Sequence, residues 1–343
     1  MLLPVVSSEV MGGALESVET GKRIATCAAA LRSSPLELER WDDLASARAE
    51  TDATKLTVRA FACLGDAANR LGQVALAVGC SRQLAELGAT KQSEELVCSI
   101  AKVHCRGSAM IDPKLKPSPI APPPPASSAP RTDAPAAKGL EGALVAAASA
   151  MDEAMARIDE RAPEKLPATR LVGVLSRDEL RELATVVQHR RIEAGSVVID
   201  VGEPATALFW IARGHLRATR GEHVLGELHA NAFFGEIALV AATDRTARVT
   251  AISDAWLLDV PAESIEKLAG RSPRLAKVLA NYARARILNN VMHASGLFSR
   301  LTEDERRSLL PRFETRILAS GERLIEGGAP NHSLFVVASG SVQ

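Results

Sequence analysis

Nine of the chain's 18 prolines fall between residues 111 and 138, four of them in the unbroken run Pro122 to Pro125. Ala and Ser fill nine of the other 19 positions, and no aromatic residue interrupts the stretch. A segment of this kind has no side chains with which to build a core, and it reads as a semi-rigid linker with polyproline II character. The chain must therefore fold as separate regions on either side of it. That agrees with the two or three domains that 343 residues imply. Docking of the proline run on an aromatic groove of a partner is the other reading of the same residues.

Before the linker, residues 1–110 read as an all-α region of four or five helices. Apolar positions recur at helical spacing, as in Leu84, Leu87, Leu96, Val97 and Ile100, and breakers are few. Leu64, Gly65, Gly72 and Ala77, with Phe61 near a tryptophan position, resemble a single tetratricopeptide unit, although no copy lies 34 residues away. The five cysteines (Cys27, Cys63, Cys80, Cys98, Cys105) all lie on these helical segments. An odd count in this setting predicts small buried thiols rather than disulfides.

Beyond the linker, Leu144, Ala148, Met151, Met155 and Ile158 mark one face of a helix of some twenty residues. From about residue 186 the period changes. Residues 196–200, 207–212, 215–219, 223–228 and 248–252 are short, β-branched or alternating, and Gly195, Gly202, Gly214, Gly221 and Gly235 separate them. Closely spaced strands with glycine turns predict a sandwich or barrel. Helical pattern returns at Ala262 to Leu268 and, after Pro273, from Arg274 to His293.

The chain then repeats itself. Residues 171–217 moved forward by 126 positions match residues 297–343 at 15 of 47 positions without a gap. The identities include Asp178 and Glu179 with Asp304 and Glu305, Gly195 with Gly321, Gly202 with Gly328, Leu208 and Phe209 with Leu334 and Phe335, and Gly214 with Gly340. They fall on turn glycines and core positions, which two copies of one fold would share. An incomplete second copy is therefore expected over 297–343, with strands between Leu318 and Val342 that present an unpaired edge. The chain reads as a fragment of a longer protein.

Charge and motif content narrow the function. Lys and Arg total 41 and so do Asp and Glu, so no basic excess favours nucleic acid, and seven Phe, three Trp and one Tyr are too few for a stacking platform. No run approaches 18 consecutive apolar residues, and the first ten lack the layout of a signal peptide, so a cytoplasmic location without a membrane segment is expected. HExxH, paired CxxC, GxSxG, P-loop and dinucleotide motifs are all lacking, so neither enzyme activity nor a cofactor is expected. His215, His223 and His229 have the intervals of strand surfaces, and no metal site is expected from them.

The informative stretch is Phe233 to Ala251, FFGEIALVAATDRTARVTA. Gly235 permits close backbone approach to a ligand. Residues from Glu236 to Leu239 can open a short helix whose amides face an anion. Arg245, nine residues after Glu236, can fork two hydrogen bonds onto phosphate oxygens, and Glu236 suits a sugar hydroxyl. A glutamate–arginine salt bridge across a turn accounts for the same residues.

The segment resembles the phosphate-binding cassette of cyclic nucleotide-binding domains, as in the regulatory subunits of cyclic-AMP-dependent kinase and the catabolite activator protein. The resemblance rests on Phe234 to Leu239, the spacing to the arginine, and the triplet Arg245, Thr246, Ala247, together with the turn glycines and closing helices. It implies a jelly-roll β-roll, or double-stranded β-helix, of eight strands with leading and closing helices over residues 139–296. It further implies that Glu236 holds the ribose 2′-hydroxyl and Arg245 the cyclic phosphate, with Gly235, Ile237, Ala238, Thr246 and Ala247 lining the pocket and Thr246 near the base. The ligand is cAMP or cGMP. Asp244 stands where proline is common, and a carboxylate turned inward there would weaken the hold on phosphate. Tyr282 and Asn289 are candidates to cap the base. On this reading the chain is a bacterial-type signalling receptor that couples binding to helix rearrangement and meets a protein partner through residues 1–110. The alternative is a degenerate fold of the same family acting as a ligand-independent scaffold. A Crp-like DNA-binding regulator would need a helix-turn-helix where this chain instead begins a second roll. Arg245→Ala is expected to cost affinity with little effect on folding.

Overall fold

The computed structural model describes residues 8–35, 37–49, 54–115, 139–294, 298, 301–309, 312–314, 316, 318–328, 330, 332–335, 337 and 342. The linker expected over 111–138 lies outside the described residues from position 116 onward. Two compact units meet in sequence at His189 and Arg190.

The first unit is helical: α1 (Ser8–Ser33), α2 (Leu38–Ala49), α3 (Thr54–Arg70), α4 (Val74–Glu86) and α5 (Thr90–His104). Strand β1 (Ile111–Asp112) then pairs in parallel with β2 (Leu166–Pro167), which follows α6 (Gly139–Arg161); a 3-10 turn at Val172–Val174 leads into α7 (Arg177–Val186). Trp41, Leu44, Phe61, Leu64, Leu84 and Ile100 are buried at its centre. Small residues set the helix approach. A Cβ added at Gly65 would stand 2.4 Å from Leu96 Cδ2 and 3.0 Å from Cys80 Cβ, so glycine there lets α3 lie close against α4 and α5. Cys80 and Cys105 are buried; Cys27, Cys63 and Cys98 are only partly so, and none of the five is in a disulfide.

Helix α6, assigned by sequence to the domain that follows it, packs on α1. Its buried face is Ala143, Ala147, Ala150, Met151, Ala154 and Ile158, one position away from the bulkier stripe that includes Leu144 and Met155. Alanine lets two helix backbones approach closely; Met151 and Ile158 are buried with the alanines, and Leu144 and Met155 are left at the margin. The ion pair of Arg32 with Glu153 (3.1 Å) edges this contact, and those of Arg59 with Asp152 and Arg70 with Asp159 tie α6 to α3.

The second unit is a roll of two four-stranded sheets, followed by helices. Its elements are β3 (Gln188–Ile192), β4 (Val197–Ile199), β5 (Ala207–Arg213), β6 (His215–Arg220), β7 (His223–His229), β8 (Phe233–Phe234), α8 (Glu236–Ala241), β9 (Arg248–Ala251), β10 (Ala255–Pro261), α9 (Ala262–Arg271) and α10 (Pro273–Ala294). The sheet orders are β3-β10-β5-β8 and β4-β9-β6-β7. Ile199, Phe209, Ile211, Leu216, Leu228, Phe234, Val249 and Leu257 fill the space between them. Gly214 (φ +103°) turns the chain from one sheet into the other. Helix α9 covers β5 and β10, and α10 lies on α8 and β7. Pro273 opens α10 at the position where a missing N–H costs nothing.

Beyond the roll, α11 (Glu303–Leu309) begins with a capping box between Thr302 and Glu305 (2.8 and 3.4 Å). The same device joins Ser176 and Glu179 (2.6 and 3.2 Å) at the start of α7, 126 residues earlier. Gly321 and Gly328 adopt positive φ, +81° and +86°, as Gly195 and Gly202 do at +86°. The strands expected between Leu318 and Val342 are not found among the described residues there. Among the described residues, no helix is long and apolar enough to cross a membrane.

Candidate functional site

The chain leaves β8 at Gly235 with φ +89° and enters α8 at Glu236. A Cβ on Gly235 would lie 2.7 Å from Arg245 Nη1 and 3.2 Å from the Ala207 carbonyl. Glycine is thus required on two counts, its dihedral angle and the guanidinium packed against it.

Arg245 is 3% exposed. Its Nη1 donates to Gly235 O (3.0 Å) and its Nη2 to Ala207 O (2.7 Å), and the guanidinium stands 5.2 Å from the centre of the Phe209 ring. Backbone bonds from Arg245 N to Glu203 O (2.8 Å) and from Gly202 N to Arg245 O (2.9 Å) fix the residue's main chain. Burial pulls the guanidinium below its ordinary pKa, while the charges of Glu203 and Glu236 act the other way. Two of the five N–H donors hold the fork in place, leaving the others for an anion.

Glu236 is 1% exposed. Burial raises its pKa, and the nearby Arg286 guanidinium opposes that shift. Arg286 Nη1 lies 3.3 Å from both carboxylate oxygens, and Arg286 Nη2 donates to the Tyr282 hydroxyl (3.3 Å). The Tyr282 ring in turn packs on Phe233, with centroids 4.3 Å apart. A residue of the closing helix therefore faces the carboxylate that the sequence reading gave to a ribose hydroxyl.

Gly235, Glu236, Ile237, Ala238, Arg245, Thr246 and Ala247 all line one cavity of about 220 Å³. Residues 225–228 of β7 form one wall, and Arg286, Asn289 and Asn290 of α10 close it. Asn289 also donates to Leu225 O at 3.5 Å, whereas Tyr282 is not among the lining residues. Asp244 is exposed and does not line the cavity, so its carboxylate does not face Arg245's ligand side. Arg286 was not named from sequence. The signal was present, because it lies four residues after Tyr282 and three before Asn289 on one helix face. The cavity thus offers a buried carboxylate, a buried guanidinium held by two backbone carbonyls, and a helix side chain set against the carboxylate. That set suits a small anion bearing hydroxyl groups.

Residues 189–272 match the family model of the cyclic nucleotide-binding domain. The cGMP-dependent protein kinase egl-4 of Caenorhabditis briggsae is 29% identical over 171 residues, 49% of this chain and 22% of the kinase. A putative potassium channel protein of Rhodopseudomonas palustris is 32% identical over 124 residues, 35% of this chain and 30% of the channel. The chain thus spans less than a third of the length of either relative. Among solved structures, the sensor domain of the transcriptional regulator DNR from Pseudomonas aeruginosa aligns with a TM-score of 0.32 and 22% identity, covering 34% of this chain and 86% of that one.

Proposed function

With a cyclic nucleotide-binding domain at residues 189–272 as the premise, we propose that this chain is a receptor for cAMP or cGMP. Glu236 accepts the ribose 2′-hydroxyl and Arg245 takes the cyclic phosphate. Gly235, Ile237, Ala238 and Ala247 shape the pocket, and Thr246 stands near the base. The observation that carries the reading is that Glu236 and Arg245, both buried charges, border the same cavity with a sterically required glycine beside them.

A cavity of about 220 Å³ is below the range of roughly 300–1,000 Å³ usual for small-molecule sites. A nucleotide must therefore displace something, and Arg286 is the side chain in the way. Breaking its contact with Glu236 removes one of the ties that hold α10 on the roll and couples ligand binding to the position of that helix; only a ligand that prefers the displaced arrangement shifts the equilibrium. The helical region, with its tetratricopeptide-like unit, is the surface through which a partner reads that movement. The segment from 297, with its repeated capping box and glycine turns, is the opening of a second roll.

Arg286→Gln tests this reading. Removing the competitor for Glu236 raises nucleotide affinity, by about tenfold if the contact biases the closed state by about 1.4 kcal/mol. The measurement is an equilibrium titration of both proteins with cAMP and with cGMP. A lower affinity in the variant would show that Arg286 holds the ligand instead of excluding it. Binding by neither protein would leave the scaffold reading.

A further inference from the structure

The hairpin of β6 and β7 has two faces. Leu216 and Leu228 are register partners on the inner one and belong to the core. His215 pairs with His229, and Arg217 with Glu227, on the outer one, since alternate residues of a strand share a face. The sequence intervals carry no metal motif, because the two histidines lie fourteen residues apart and meet only through the ladder.

There the imidazoles stack with centroids 4.3 Å apart. His215 Nε2 lies 3.0 Å from Glu227 Oε2, while Arg217 takes the other carboxylate oxygen at 3.1 Å. One ligand atom from each of His215, Glu227 and His229 falls within 4.8 Å of the others. His229 Nδ1 is shielded from solvent and has no hydrogen-bond partner in the protein. The backbone of His215 is fixed by Ser253 Oγ (3.1 Å to its N–H) and by the amides of Ile252 and Ser253 (2.8 and 3.2 Å to its carbonyl).

We propose that the outer face of this hairpin is a divalent metal site of the zinc type, with His215, Glu227 and His229 as its three protein ligands. Two imidazoles and one carboxylate are donors that borderline transition metals favour over Ca²⁺ or Mg²⁺. Bonds of about 2.0–2.2 Å place tetrahedral ligand atoms about 3.4 Å apart, so the two imidazoles, stacked here, turn about their side-chain bonds to bring their lone pairs onto one ion. Three protein ligands leave one coordination position for water. Arg217 stays on the second carboxylate oxygen and orients the first.

The test uses the tag-free chain titrated with Co²⁺ alone and then with Zn²⁺ in competition. One equivalent of Co²⁺ should bind with visible bands but without thiolate charge-transfer absorption, and Zn²⁺ should displace it. His229→Gln and Glu227→Gln should each weaken binding by at least about 10-fold, and His223→Ala, on the same hairpin, should not. Because an altered hairpin can also lose its fold, imidazole NMR of the unmodified chain supplies the second reading: His215 and His229 should shift on addition of Zn²⁺. No uptake, uptake indifferent to both substitutions, or shifts confined to other histidines would overturn the assignment.

Discussion

Arg245→Ala should lower cyclic-nucleotide affinity by about 10-fold to more than 100-fold, the equivalent of a charge-assisted contact worth roughly 1.5–3 kcal/mol. It should also destabilise the roll, contrary to the expectation from sequence that folding would be little affected. The reason is where the guanidinium sits. It donates to the carbonyls of Gly235 and Ala207 from a site 3% exposed, and alanine leaves both acceptors without it. Each buried acceptor left unpaired costs about 1–3 kcal/mol. Arg245→Lys separates the two effects. It keeps a positive charge near the phosphate but cannot hold both carbonyls and fork onto the ligand, so it should still lose affinity. Urea unfolding alongside ligand titration reads both quantities. Unchanged affinity in Arg245→Ala would place the ligand elsewhere.

Gly214→Ala should have the largest effect on stability. The residue has φ +103°, and an added Cβ would meet Ala255 Cβ at 2.6 Å and both Ala255 Cα and Asp254 O at 2.7 Å. Two of those neighbours are backbone atoms and cannot swing aside. The left-handed conformation costs roughly 1–2 kcal/mol and overpacking roughly 1–3 kcal/mol more. For a unit of this size that lowers Tm by about 10 °C. Gly221→Ala is the control. It too has positive φ, +57°, but an added Cβ would meet nothing within 4 Å, so only the smaller dihedral cost should appear. Equal losses in the two variants would mean that the sheet-to-sheet corner is not tightly packed.

These corners show what a sequence gives away. Alternating segments between glycines were read as strands, and β4, β5, β6, β7 and β9 lie on them. Three strands of the roll gave no such signal. β10, AWLLDVP, is buried on both faces, between the core and α9, and does not alternate. β8 is two phenylalanines long, too short for any period. β3 carries consecutive arginines that look solvated. Yet Arg191 lies over the Trp256 ring at 4.0 Å and Arg190 pairs with Asp259 at 3.0 Å. Long cationic stems can cover apolar surface in this way.

The site was legible to the extent that its residues are contiguous. Gly235 to Ala238 and Arg245 to Ala247 lie on one loop-helix-loop stretch, and the structure brings them around one cavity. Arg286 comes from a helix fifty residues away, and only the fold sets it against Glu236. The same holds for His215 and His229, which the hairpin register joins. Local spacing speaks for local geometry; pairings across sheets and helices depend on the tertiary arrangement.

Calorimetric titration of the whole chain with cAMP, cGMP and 5′-AMP tests the central claim most directly. One cyclic nucleotide should bind saturably per chain, with 5′-AMP, which lacks the cyclic phosphodiester, binding far more weakly. A folded chain that gives no heat with cAMP or cGMP, and whose Tm neither ligand moves, would contradict it.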